Sequence, residues 1–223
     1  MSKNIFITAT GTDIGKTYVS ALIVKKMREE GYNCGYFKPV LSGVVEKGGK
    51  LVESDCNYVV NTAKIPTSAD DCVAYWWKEA VSPHLAAKRA GMEIDIQKIK
   101  EEFVQKNKEY DYLLIEGAGG ITCPLRLENG EKYLLKDLIK ELSAPIIIVA
   151  DGGLGTINST LLTVEYARAN GIKIAGIILN NFDKDSFMQQ DNLKQVEYLT
   201  GVKVVATVAK GEKEIRLLEE RFE

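Results

Sequence analysis

The sequence predicts an α/β fold, a single doubly wound parallel sheet with helices on both faces. Three observations predict it. Short apolar runs alternate with amphipathic helical stretches along the whole chain. Several of those runs are apolar at nearly every position, as in Ile146-Ile147-Ile148-Val149, the pattern of a parallel strand buried on both faces. Gly31, Gly171 and Gly201 each stand where a helix would need a C-terminal glycine cap.

Strands are predicted at Asn4–Thr8, Cys34–Phe37, Tyr112–Ile115, Ile146–Ala150, Ile174–Leu179 and Lys203–Ala206. Helices are predicted at Lys16–Glu30, Asp55–Asn61, Pro83–Ala90, Ile94–Lys106, Lys136–Glu141, Thr156–Asn170, Ser186–Thr200 and Lys213–Arg221. No linker, repeat or low-complexity stretch divides them, so one domain over residues 1–223 is expected. In a sheet of this kind ligands bind at the carboxyl ends of the strands. The residues that follow each strand are therefore the candidates for chemistry.

After the first strand comes Thr10-Gly11-Thr12-Asp13-Ile14-Gly15-Lys16-Thr17. A strand, a glycine-containing turn ending Gly-Lys-Thr and a helix make a phosphate-binding loop. Successive backbone N–H groups and the helix N-terminus attract phosphate, Lys16 reaches the β- and γ-phosphates, and the Thr17 hydroxyl suits Mg²⁺. The usual first glycine is replaced by Thr10, with Gly11 one residue later, so the opening turn departs slightly from the common form. The fold is thus expected to be that of a P-loop NTPase, binding a nucleoside triphosphate.

After the second strand come Lys38-Pro39-Val40-Leu41-Ser42-Gly43. Lys38 is either a solvated lysine or a second cation that stabilises charge on a transferring group. Glu116, at the end of the third strand, is placed as a Walker-B-like carboxylate for Mg²⁺, and Gly117, Gly119 and Gly120 around Ala118 allow close backbone approach. Asp55, just inside a helix start, suits a helix cap or a partner for the helix dipole, with a site role left open. Ser42, Thr12 and Asp13 are turn formers or site residues. Gly155-Thr156 opens a helix whose N-terminus could take a carboxylate, or in which Thr156 is an N-cap. Asn180 follows the fifth strand. The lone histidine, His84, is expected to orient a loop, and Trp76 and Trp77 to serve as core or interface.

Composition excludes several classes. The chain has 223 residues, 45% hydrophobic and 27% charged, with a net charge of -2 and no basic block, which gives no footprint for nucleic acid. Pro145–Ala150, the longest apolar run, is far too short to cross a bilayer, and no signal peptide is recognisable, so a cytoplasmic protein is expected. Cys34, Cys56, Cys72 and Cys123 are scattered without a Cys-x-x-Cys pair and read as reduced thiols.

Together these segments resemble the dethiobiotin synthetase family. The marks are Gly11–Thr17, Lys38-Pro39-Val40 with Ser42-Gly43, Ser54-Asp55, Ser82-Pro83-His84, Glu116–Gly120 and Leu154-Gly155-Thr156-Ile157-Asn158. The resemblance implies an ATP-dependent ligase that joins CO₂ to diaminopelargonic acid through a carbamate and a carbamic–phosphoric anhydride, releasing ADP and phosphate. It implies Lys38 and Lys16 as catalytic cations, and Thr17, Asp55 and Glu116 as ligands of Mg²⁺. Nucleotide contacts would come from Asp13, Ile14, Gly15, Lys16, Thr17, Tyr18, Asp55, Glu116, Gly117, Ala118, Gly119 and Asn180. Thr12, Ser42, Gly155, Thr156 and Asn158 would meet the substrate, in a homodimer. The segment Thr207–Glu212 departs from the family's pattern, which implies a less selective base site. The alternative is a partner-binding P-loop ATPase of the same fold class, but such proteins carry a signature lysine where this chain has Gly11.

Overall fold

The computed structural model describes residues 3–127 and 130–217. β1 (Lys3–Ala9) enters the phosphate loop and α1 (Lys16–Glu29) leaves it. β2 (Cys34–Ser42) follows, then a hairpin of β3 (Val45–Lys47) and β4 (Lys50–Glu53), α2 (Asp55–Ala63) and β5 (Val73–Trp77). Next come α3 (Pro83–Arg89), α4 (Ile96–Glu109), β6 (Tyr112–Glu116), a small pair of β7 (Pro124–Arg126) and β8 (Tyr133–Leu134), and α5 (Leu135–Leu142). The chain continues through β9 (Ile146–Asp151), α6 (Thr156–Ala169), β10 (Ile174–Asn180), α7 (Phe187–Thr200), β11 (Val204–Val208) and β12 (Arg216–Leu217).

The main sheet runs β12-β11-β10-β9-β1-β6-β2-β5. Every neighbouring pair is parallel except β11 and β12, which are antiparallel. β1 lies near the centre, between β9 and β6, with Ile7 beside both Ile147 and Glu116. Burial on both faces explains the unbroken apolar character of β9, whose Ile146, Ile147, Ile148 and Val149 are all 0% exposed. On one face Val19 and Leu22 of α1 and Val59 of α2 pack against Ile7 and Leu114. On the other, Ile99 and Phe103 of α4, Leu138 of α5, Val164 of α6 and Val196 of α7 cover Phe6, Ile115 and Ile148. Such cores contribute the larger part of folding stability through removal of apolar surface from water.

The six predicted strands and seven of the eight predicted helices are present, with small shifts at their ends. Glycines at 31, 171 and 201 do take positive φ at helix ends. Three expectations need correction. The second strand does not stop at Phe37 but runs to Ser42, so Lys38 is part of a strand and not of the loop after it. Pro39 is tolerated because pairing with β6 ends at Phe37, which leaves the strand paired only with β5 beyond that point. Secondly, Val73–Trp77 forms an edge strand that was not predicted; Trp77 is buried there and stacks on Tyr75 at 5.9 Å between ring centroids. Thirdly, no helix begins at Lys213: Arg216 and Leu217 pair with β11, and the remainder of that predicted helix lies outside the described residues. Among the described residues no helix is long and apolar enough to cross a membrane.

Gly35 shows how tightly β2 is held. A Cβ placed there would stand 2.4 Å from the ring of Tyr110, below any real contact distance. Gly35→Ala is therefore expected to lower unfolding free energy by about 1–3 kcal/mol, the usual cost of overpacking. Urea titration checks this, and an unchanged midpoint would mean that Tyr110 moves aside freely.

Candidate active site

The phosphate loop is shaped by two residues in left-handed backbone, Asp13 (φ 58) and Gly15 (φ 91). Gly15 is the N-cap of α1 and offers no side chain for capping, so the first N–H groups of the helix remain available to an anion. Its lack of a Cβ has a second use. A Cβ at Gly15 would stand 2.1 Å from Nδ2 of Asn180, which donates to the Ile14 carbonyl at 2.9 Å. Asn180, at the end of β10 two strands along the sheet from β1, thus clamps the loop.

Lys16, which opens α1, is buried and extends back over the loop, with Nζ 3.4 Å from the Gly11 carbonyl. Burial lowers its pKa and Lys38 adds to that effect, while Glu116 and Asp55 oppose it; the net shift is downward. Thr12 and Asp13 at the loop tip are exposed. Thr12 faces the loop after β6: a Cβ on Gly119 would lie 3.7 Å from its hydroxyl and 3.4 Å from Sγ of Cys123. Burial pushes the Cys123 thiol up to about 11, against the pull of Lys16, so it is a neutral, weakly nucleophilic wall.

Glu116 sits at the middle of the site and is wholly buried. Thr17 Oγ1 donates to its Oε1 at 2.7 Å, and Lys38 Nζ donates to the same oxygen at 2.6 Å. Tyr36 donates its hydroxyl to Oε2 at 3.0 Å. Lys38 also pairs with Asp55. Burial alone would lower the pKa of Lys38, but Glu116 and Asp55 outweigh it and raise the value above that of an ordinary lysine, which keeps the ammonium charged. Burial, then the Glu116 charge, holds the Tyr36 phenol protonated. Local geometry explains the convergence. Tyr36 and Lys38 are two apart on one strand and so share a face, and Tyr36 lies beside Leu114, two residues before Glu116.

Asp55 is free to pair with Lys38 because another residue caps its helix. Ser54 is the N-cap and accepts from the Asn57 N–H at 3.1 Å. The capping alternative for Asp55 is therefore not the one observed, and its carboxylate meets Lys38. Likewise Thr156 is not an N-cap: Gly155 is, and Thr156 is buried with its hydroxyl 3.4 Å from that of Thr160. Two carboxylates and a hydroxyl form a set of hard oxygen donors, and they suit Mg²⁺ whose other ligands are water and phosphate.

The remaining candidates spread around this centre. Ser42 ends β2 and donates to the Val81 carbonyl at 2.6 Å. Gly117 and Ala118 line the turn after Glu116. Tyr18 stacks on Tyr58 and donates to the Glu212 carbonyl, which ties the segment after β11 to the start of α1. Gly155 and Asn158 are exposed at the start of α6, and no hydrogen bond among the described residues joins them to the cluster. His84 meets the Ser82 hydroxyl at 3.0 Å, in keeping with an orienting role. The sequence reading missed Tyr36. Its signal was the two-residue spacing from Lys38, once that lysine is placed on the strand.

A family model described as an AAA domain matches residues 3–213. An ATP-dependent dethiobiotin synthetase of Brachyspira hyodysenteriae is 50% identical over 211 residues, covering 95% of this chain and 94% of the relative. One from Clostridium botulinum (strain Langeland) is 49% identical over 192 residues, covering 86% and 84%. Among solved structures, the MinC:MinD cell division complex of Aquifex aeolicus has a TM-score of 0.56 at 13% identity, covering 95% of this chain and 83% of that one. Chloroplast FtsY of Physcomitrella patens has a TM-score of 0.54 at 15% identity, covering 98% and 63%. At such identity the structural likeness speaks for the P-loop fold alone.

Gly15 provides the test of the loop geometry. Gly15→Ala combines a left-handed backbone, costing about 1–2 kcal/mol for an L-residue, with displacement of Asn180. Calorimetric titration with ADP should show at least about tenfold weaker binding, the factor that 1.4 kcal/mol represents. Unchanged affinity would mean that this turn does not cradle phosphate.

Proposed function

The chain belongs to the dethiobiotin synthetase family and catalyses ATP-dependent formation of dethiobiotin, and from that premise we propose how its residues carry the reaction. One amine of diaminopelargonic acid adds to CO₂ and loses a proton, giving a carbamate. A carbamate oxygen attacks the γ-phosphorus of ATP and ADP departs. The second amine then attacks the carbonyl carbon of the mixed anhydride, the C–O bond to phosphate breaks, and a five-membered urea closes as a proton leaves.

Every step gathers negative charge or moves it between oxygens, so the protein's task is positioning and neutralisation. The observation that carries this reading is Lys38, a charged ammonium buried beside the phosphate loop and aimed by Glu116 and Asp55. It would face the carbamate and the transferring phosphoryl group, while Lys16 would follow the β- and γ-phosphates. Neither lysine acts as a base. Thr17, Asp55 and Glu116 would hold Mg²⁺, which when bound neutralises phosphate charge and fixes the in-line geometry. Backbone N–H groups from Asp13 to Tyr18 would cradle the phosphates, with Gly117, Ala118 and Gly119 close to the nucleotide.

Asn180, already bound to the loop, would set the edge of the base site. Thr12 and Ser42 would meet the reacting end of the diamine. Its carboxylate tail would reach the N-terminus of α6 at Gly155, Thr156 and Asn158. That helix start lies next to the exposed Leu154, and Leu162 is exposed further along the helix, which supports contact with a second copy in a homodimer. We place the whole reaction in one domain acting in the cytoplasm on small molecules, without nucleic acid or membrane.

Phosphate release from Mg-ATP should require both the diamine and CO₂; release indifferent to the diamine would refute the coupling. Lys38→Met keeps the buried stem but removes the ammonium. Turnover should fall by about 10²-fold or more, as when a preorganised charge-stabilising donor is lost, while ADP binding survives. Near-normal turnover would remove Lys38 from the chemistry.

A further inference from the structure

Asn180 ends β10, and the strand register sets Val208, the last residue of β11, directly beside it. The chain that follows Val208 therefore borders the space next to Asn180. That segment, Ala209–Glu212, is closed on itself. The Ala209 N–H donates to the Glu212 carboxylate at 2.7 Å, and the Glu212 N–H donates back to the Ala209 carbonyl at 3.1 Å. These bonds shape the turn but do not fix where it stands against the phosphate loop. Two side chains of α1 do so. Tyr18 donates its hydroxyl to the Glu212 carbonyl, and Lys25 donates to the Lys213 carbonyl at 3.1 Å. Seven residues apart, Tyr18 and Lys25 share one face of the helix. Tyr18 directly follows Lys16-Thr17, so a single residue joins the phosphate end of α1 to this turn. Its ring is braced in turn by stacking on Tyr58 at 6.2 Å between centroids.

We propose that Tyr18 is a positioning residue for the nucleotide base: its hydroxyl holds the Ala209–Glu212 turn against α1 and so sets the space between that turn and Asn180. This rests on the reading of Asn180 as the edge of the base site. The sequence Ala209-Lys210-Gly211-Glu212 offers no aromatic ring on which a base could stack. Contact with the base then depends on where the backbone of the turn stands, which is what Tyr18 fixes. Without the hydroxyl the turn has to be ordered when the nucleotide binds, and that cost is taken from affinity.

Tyr18→Phe removes the hydroxyl and keeps the ring on Tyr58. Binding of ADP and of tripolyphosphate, each with Mg²⁺, is measured by titration calorimetry on the wild type and the variant. Tripolyphosphate brings phosphate to the loop without a base and serves as the internal control. Loss of one hydrogen bond of ordinary strength corresponds to about 2–10-fold in affinity. ADP should bind more weakly by that factor, the KM for ATP should rise to match, and tripolyphosphate should bind as it does to the wild type. Equal weakening of both probes would overturn the proposal, since Tyr18 would then act on the phosphate loop, and so would unchanged binding of both. Ala209→Trp, which adds bulk to the turn beside Asn180, separates the proposal from the reading beneath it. If Ala209→Trp weakens ADP but not tripolyphosphate while Tyr18→Phe weakens neither, the base site stands and only the role of Tyr18 falls. Should neither variant distinguish the two probes, the base-site reading falls and takes the proposal with it.

Discussion

The ion pair between Lys38 and Glu116 is the constraint on which the rest of the site depends. A buried carboxylate and a buried ammonium are each expensive to remove from water, and removing one partner of such a pair costs about 3–5 kcal/mol. The pair persists because its remaining valences are filled: Thr17 and Tyr36 on Glu116, Asp55 on Lys38. Every element that contributes is thereby tied to the next. β2 supplies Tyr36 and Lys38, β6 supplies Glu116, α1 supplies Thr17 and α2 supplies Asp55. The arrangement is well suited to phosphoryl transfer, in which fixed charge matters more than a nucleophile from the protein.

The fold places that pair with little help from loops. β1, β6 and β2 are adjacent and parallel, so their carboxyl ends, the start of α1 and the end of β2 open on one edge. The phosphate loop is pinned there from two directions. Lys16 lies back over it, and Asn180 holds the Ile14 carbonyl through the space that Gly15 leaves open. A site on rigid strands and helix ends keeps its geometry better than one on mobile loops, and the lysines are fixed before substrate arrives.

Much of this was legible in the sequence, for identifiable reasons. Unbroken β-branched runs such as Ile146–Val149 suit interior parallel strands, and Gly-Lys-Thr after a strand suits a phosphate loop. Lys38 and Glu116 stood out because they follow apolar runs at the ligand edge. The failures have a common cause in pairing, which is a long-range fact. Pro39 reads as the end of a strand, yet β2 continues because only β5 still pairs with it there. Val73–Trp77 has strand composition, but aromatic residues suggested only a core position. The charged stretch after Lys213 suggested a helix, whereas Arg216 and Leu217 find a partner in β11. Tyr36 was invisible for the same reason, since its value depends on the register of β2 against β6. Asp55 and Thr156 show the limit of local rules, because each could cap a helix and in each case the preceding residue takes that place.

On the proposed mechanism a carbamate oxygen, held between fixed cations, attacks the γ-phosphate. A single turnover with oxygen-18-labelled CO₂, quenched before the label exchanges with water, tests it most directly. One labelled oxygen is expected in each phosphate released, and one retained in the urea carbonyl of the product. Unlabelled phosphate would contradict it, because ATP would then be cleaved by some oxygen other than that of the carbamate.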